Sequence, residues 1–111
     1  MVTKRKLKIP IFNYYMTILI YDYWEDLINY IPKEVYDDPG KGVTIEYDNY
    51  CVVCCPTNSG STIAHESGHI ANLVWKYIGY TPMRDNDEVN QYLVAYIYEE
   101  IEKVINKHLV K

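Results

Sequence analysis

An α+β fold is predicted for this chain: a small antiparallel or mixed sheet with a short helix, followed by two long C-terminal helices. Three observations carry the prediction. Tyr14, Met16, Ile18 and Ile20 alternate with Tyr15, Thr17, Leu19 and Tyr21, so both faces are apolar enough for a central strand. Apolar residues recur at helical steps in two later stretches, from Ile63 to Ile78 and from Val89 to Ile105. The length of 111 residues suits one domain with one core. Roughly 65% of the unfolded surface of such a chain can be buried, enough to fold without staples.

The elements follow in order. Lys6 to Ile9 and Tyr14 to Tyr21 are predicted strands on either side of residues 10–13. Asp22 and Glu25 form a capping box, opening a short helix through Trp24, Leu27, Ile28 and Ile31 that Pro32 stops. Asp37-Asp38-Pro39-Gly40-Lys41-Gly42 is a turn. Val43 to Tyr47 and Tyr50 to Cys55 make a hairpin around Asp48-Asn49. After a loop over Pro56 to Ser61, Ser61 or Thr62 caps a helix from about Ile63 to Ile78. Gly79 ends it, with Pro82 just beyond. Thr81 to Asp85 form a loop, and Asn86 caps the last helix, roughly Asp87 to His108.

Composition narrows the function. An apolar fraction of 49% and a charged fraction of 23% are those of a soluble globular protein. The net charge is −4, and the one basic cluster, Lys4-Arg5-Lys6 with Lys8, reads as a short solvated N-terminus. A phosphate-binding protein needs a basic face, so nucleic acid is not expected as a partner. Ile11 to Tyr21 is too short to span a bilayer and no cleavage site follows it, so neither membrane nor leader is expected. Cys51, Cys54 and Cys55, an odd and clustered set, read as buried strand thiols in a reducing compartment. Thirteen tyrosines against one phenylalanine suit half-buried positions, with the ring in the core and the hydroxyl wet.

The chemistry lies in His65-Glu66-Ser67-Gly68-His69. Histidines four apart stack on one helix face, so both imidazoles can reach one metal ion at about 2.0–2.1 Å. Glu66 then projects beside the ion, placed as the base that takes a proton from a metal-activated water. Gly68, costly inside a helix by ~1 kcal/mol, reads either as a point of close approach by a neighbouring element or as a tolerated surface glycine.

A zinc site of this kind needs a third protein ligand. A histidine six residues past His69 would fall at Trp75, and the glycine that accompanies it at Asn72, so that extension fails. His108 reads as a solvated cation at a helix end. The remaining candidate is Glu88, at the first turn of the last helix, with Asp85 and Asp87 as alternatives. Glu88 reaches the pair only if the second helix crosses back over the first. Acidic residues at a helix start are also what the macrodipole favours. Tyr92 and Tyr96, on nearly the same face as Glu88, read as core tyrosines or as phenols orienting a ligand.

His65-Glu66-x-x-His69, then 18 residues, then Glu88, resembles the gluzincin pattern of thermolysin-like metallopeptidases. Ser61 to Leu73, followed by Asn86-Asp87-Glu88 and Tyr92-Leu93-Val94-Ala95-Tyr96, is similar to small bacteriophage and prophage proteins described as zinc peptidases. The likeness covers the last half of the chain clearly and the N-terminal strands loosely. It implies a minimal zincin-like domain over residues 1–111, zinc held by His65, His69 and Glu88, and a setting in the bacterial host cytoplasm or the virion. A second lobe like the one that walls the cleft of secreted gluzincins is not expected within these 111 residues.

Two functions are therefore expected in competition. One is a zinc metallopeptidase acting on a peptide or protein substrate, with Glu66 as general base. The other is a phage structural or assembly protein that keeps zinc for stability without turnover. Neither substrate nor oligomeric state is legible in the sequence.

Overall fold

The computed structural model describes residues 1–10, 12–57, 59–82 and 88–110. Its centre is the strand with the two apolar faces, β2 (Tyr14–Tyr21). Met16, Ile18 and Ile20 enter one core on one face, and Leu19 and Tyr21 a second core on the other. β1 (Val2–Ile9) pairs with it antiparallel along its whole length, from Val2 opposite Tyr21 to Ile9 opposite Tyr14. The basic cluster is exposed, as expected, and forms the middle of an outer strand. The strand is longer than the expected Lys6 to Ile9, because each residue from Val2 onward has a partner on β2.

β3 (Val43–Glu46) and β4 (Tyr50–Pro56) form the expected hairpin. β4, however, pairs with β2 in parallel, giving a four-stranded mixed sheet of order β1-β2-β4-β3. A parallel pair needs a crossover that leaves one end of the sheet and returns at the other. Here the crossover also covers the sheet's second face with Leu27 and Ile31, against which Trp24, Val35 and Tyr36 pack.

The short helix expected from Asp22 to Ile31 is divided. A 3₁₀ turn occupies Trp24–Leu27, and one α-helical turn, α1 (Lys33–Tyr36), begins after Pro32. Proline lacks an N–H to donate, so it suits the start of a helix as well as an end. The Trp24 indole N–H donates to the Tyr36 carbonyl at 2.8 Å, folding the two turns together. Asp26, not Glu25, receives the Tyr23 backbone N–H at 3.3 Å and also accepts the N-terminal ammonium at 2.9 Å.

Two long helices cover the first face, as expected. α2 (Gly60–Ile78) is capped by Ser59, whose Oγ accepts from the Thr62 N–H at 3.3 Å, so the helix starts before the expected cap at Ser61 or Thr62. It ends at Gly79 with φ of 77°, a left-handed turn glycine adopts without strain. α3 (Glu88–Leu109) packs Leu93, Ile97, Ile101, Val104 and Ile105 against Ile63, Ile70 and Val74 of α2 and the strands beneath. The expected cap at Asn86 lies outside the described residues. Trp75 donates to Asn90 Oδ1 at 2.6 Å, and Gly60 lies against the Tyr98 hydroxyl, so α3 runs back along α2 in the opposite direction. Among the described residues, no helix is long and apolar enough to cross a membrane.

His108 is not solvated. It is 5% exposed, with Nδ1 at 2.6 Å from Thr3 Oγ1 and Nε2 at 2.8 Å from Asp22 Oδ1. α3 is long enough to carry its last turn over the ends of β1 and β2, where the imidazole finds both partners. Asp22, expected to cap a helix, is used here instead.

Candidate metal and catalytic site

α2 places His65 and His69 one turn apart on its exposed side, with Nε2 atoms 3.0 Å apart and ring centroids 4.5 Å apart. Two nitrogens on one tetrahedral ion at about 2.0–2.1 Å would stand roughly 3.3 Å apart. The pair therefore fits two positions on a metal without rearrangement of the helix.

Glu66 lies around the helix towards the sheet and is 5% exposed. Its Oε1 accepts the Thr44 hydroxyl of β3 at 2.7 Å. No buried side-chain polar atom among the described residues lacks a partner, and Oε2 makes no hydrogen bond there, so Oε2 reaches solvent. Glu66 lines two hollows: a groove of about 370 Å³ between β3 and α2, where Gly42, Thr44 and Glu46 face His65, Glu66 and His69, and one of about 340 Å³ shared with Lys41, Gly42, Ser61, Thr62 and His65. The strand can approach this closely because residue 42 is a glycine. A Cβ there would stand 2.6 Å from Thr62 Cγ2 and 3.0 Å from the Cys54 carbonyl oxygen.

The structure brings together His65, Glu66 and His69 but does not bring Glu88 to them. Glu88 is the exposed first residue of α3. The bond from Trp75 to Asn90, two residues later, holds that first turn beside Trp75. Trp75 lies six residues beyond His69, or about 9 Å along the helix axis. Among the described residues, no three His, Cys, Asp or Glu side chains converge to hold a metal. Asp85 and Asp87 lie outside the described residues. The histidine pair thus fits a metal, and the third protein ligand is not in place. Glu46 lines the same groove, with its carboxylate paired to Lys76 Nζ at 2.9 Å.

Tyr92 and Tyr96 are not at the pair. They border an apolar hollow with Ile9, Phe12, Trp75 and Leu93, and Tyr92 is 73% exposed. Thr44, Gly42 and Glu46 were not legible as site residues, since nothing local to 42–46 says which helix the strand lies against. Their one signal is the alternation of β3, which sends Val43 and Ile45 into the second core and leaves Thr44 on the side of α2.

Gly68 proves to be a surface glycine: a Cβ there meets nothing within 4 Å. Gly68→Ala is therefore expected to stabilise the protein by about 1 kcal/mol through helix propensity alone. Urea denaturation measures this, and a loss of stability would mean that an element approaches the helix there after all.

The three cysteines are buried in β4, as expected of structural thiols. Burial pushes Cys51, Cys54 and Cys55 from an ordinary 9.0 up to about 12, and the Glu66 charge adds to the rise at Cys54 and Cys55. The folded state thus holds these protons more tightly than the unfolded chain does. Their contribution to stability is whole below about pH 9 and is lost as pH climbs towards 12. Burial raises the Tyr14 and Tyr21 phenols in the same sense. The urea midpoint is expected to fall steadily from pH 9 upward, while native protein at pH 8 leaves all three thiols unmodified by a disulfide reagent. A flat alkaline profile with rapid labelling would contradict this.

Comparison with models of protein families, with curated proteins and with solved structures gives no match for this chain.

Proposed function

We propose that this protein is a zinc-dependent peptide-bond hydrolase. One observation carries the reading: a buried carboxylate, Glu66, lines one groove with two histidines whose Nε2 atoms are 3.0 Å apart. Bound zinc would supply an activated water and a Lewis acid near neutral pH. His65 and His69 would hold the ion. Glu66 would accept a proton at Oε2 and return it to the leaving amine. β3 is the outermost strand on its side of the sheet, and its residues line the groove. An extended peptide added to its free edge would run past the histidines.

The third ligand in this proposal is Glu88, carried on α3. Because Glu88 stands apart from the pair, metal content decides the assignment. Protein purified without a histidine tag is expected to hold about one zinc per chain, by the ligand set of such sites. His65→Ala or His69→Ala should abolish that, and Glu88→Ala should weaken or abolish it. Full retention of zinc by Glu88→Ala would remove Glu88 from the site. No zinc in wild type after reconstitution would end the enzyme reading.

A second reading is favoured by the openness of the site. His65 and His69 are both exposed, and among the described residues the groove takes its walls from one strand with the residue before it and one helix. A zinc-stabilised structural or assembly protein would need no more. Chelation that unfolds the protein, with no cleavage in a broad peptide screen, would select it.

A further inference from the structure

We infer that Thr44 is the positioning residue for Glu66, fixing which carboxylate oxygen is left to move a proton. The inference rests on the hydrolase reading above and deepens it. A glutamate carboxylate turns broadly about its last bond, so burial alone does not choose between its oxygens. The Thr44 hydroxyl does, because its single proton is spent on Oε1 at 2.7 Å. Oε2 is left without a protein partner, at a residue that lines one groove with His65 and His69 and a second hollow with His65.

The donor is itself rigidly held. Threonine is stiff about its first side-chain bond. Thr44 is paired in register with Val53 of β4, while its neighbours Val43 and Ile45 are anchored in the second core. Gly42, two residues earlier, admits the close approach to Thr62 that brings strand and helix within hydrogen-bonding distance. The base is therefore oriented by the sheet and not by its own helix.

The test has two arms. On metal-free protein, urea midpoints are measured for Thr44→Val, Glu66→Ala and the double variant. The losses are expected to be non-additive, the double variant losing no more than the worse single one. Additive losses would mean the two side chains are not in contact, which overturns the inference whatever the activity. On zinc-loaded protein, cleavage of a library of internally quenched peptides is followed. Thr44→Val is expected to lower kcat about ten-fold with KM and zinc stoichiometry unchanged, and Thr44→Ser to recover most of the loss. Unchanged kcat in Thr44→Val beside non-additive stability would show a bond that only supports the fold, and would overturn the positioning role. No cleavage by wild type would overturn the hydrolase reading itself, and this inference with it.

Discussion

Glu66→Gln is expected to abolish peptide cleavage while leaving zinc bound and the fold intact. The substitution keeps the size of the side chain and an oxygen able to accept the Thr44 hydroxyl, so the contact to β3 can survive. What disappears is the ability to take up a proton. General acid–base groups contribute about 10²–10⁴-fold, and a residue that both removes and returns a proton belongs near the upper end. A fall in kcat of roughly a thousand-fold, with zinc stoichiometry unchanged by elemental analysis, is the expected result. Because Glu66 is buried beside Cys54 and Cys55, the neutral amide should also relieve the negative charge that raises those thiols. The variant is accordingly no less stable at alkaline pH than wild type. A Glu66→Gln protein that cleaves peptides at the wild-type rate would rule out the mechanism.

His108→Ala is expected to be the most destabilising single substitution outside the apolar core. The imidazole joins three elements: the start of β1 through Thr3, the residue after β2 through Asp22, and the last turn of α3. The ring satisfies both contacts at once, Nε2 with Asp22 Oδ1 and Nδ1 with Thr3 Oγ1. Truncation removes two hydrogen bonds and leaves a space where a side chain 5% exposed had been. Lost bonds and cavity together should cost about 2–4 kcal/mol, or roughly 10–20 °C in Tm for a domain of this size. Asp22→Asn should cost less, since that side chain is 43% exposed and its interaction is screened by solvent. Thermal and urea denaturation check both. A His108→Ala variant within 0.5 kcal/mol of wild type, a surface-residue effect, would reduce the contact to an incidental one.

These two residues mark how far the sequence could be read. The central strand was legible because the alternation from Tyr14 to Tyr21 is local, as was the end of α2 at Gly79. The cap was expected at Ser61 or Thr62 and lies at Ser59. All three residues have the right chemistry, and only the start of the helix chooses among them. The histidine pair with Glu66 was legible because four-residue spacing on a helix is geometry in itself. The parallel pairing of β2 with β4 was not, since hydrophobic pattern says that a strand is buried but not which neighbour it takes. Thr44 and the buried role of His108 depend on that pairing and on where α3 comes to rest, and no short window holds either. Glu88 shows the same limit from the other side: spacing along the chain counts residues but does not say where a helix is anchored.

The bond between Asp22 and His108 spans 86 residues of sequence, and that separation has a consequence for how the protein comes into being. At synthesis rates of about 5–20 residues per second, the β1–β2 hairpin waits roughly 4–17 s for the side chain that closes it. A hairpin alone is marginal in water, and contacts this far apart in sequence are slow to form. The groove is lined by residues within 42–73 and can assemble earlier, on a sheet whose outer strand is not yet secured. β1 is thus secured by a side chain made 105 residues after the Thr3 it holds.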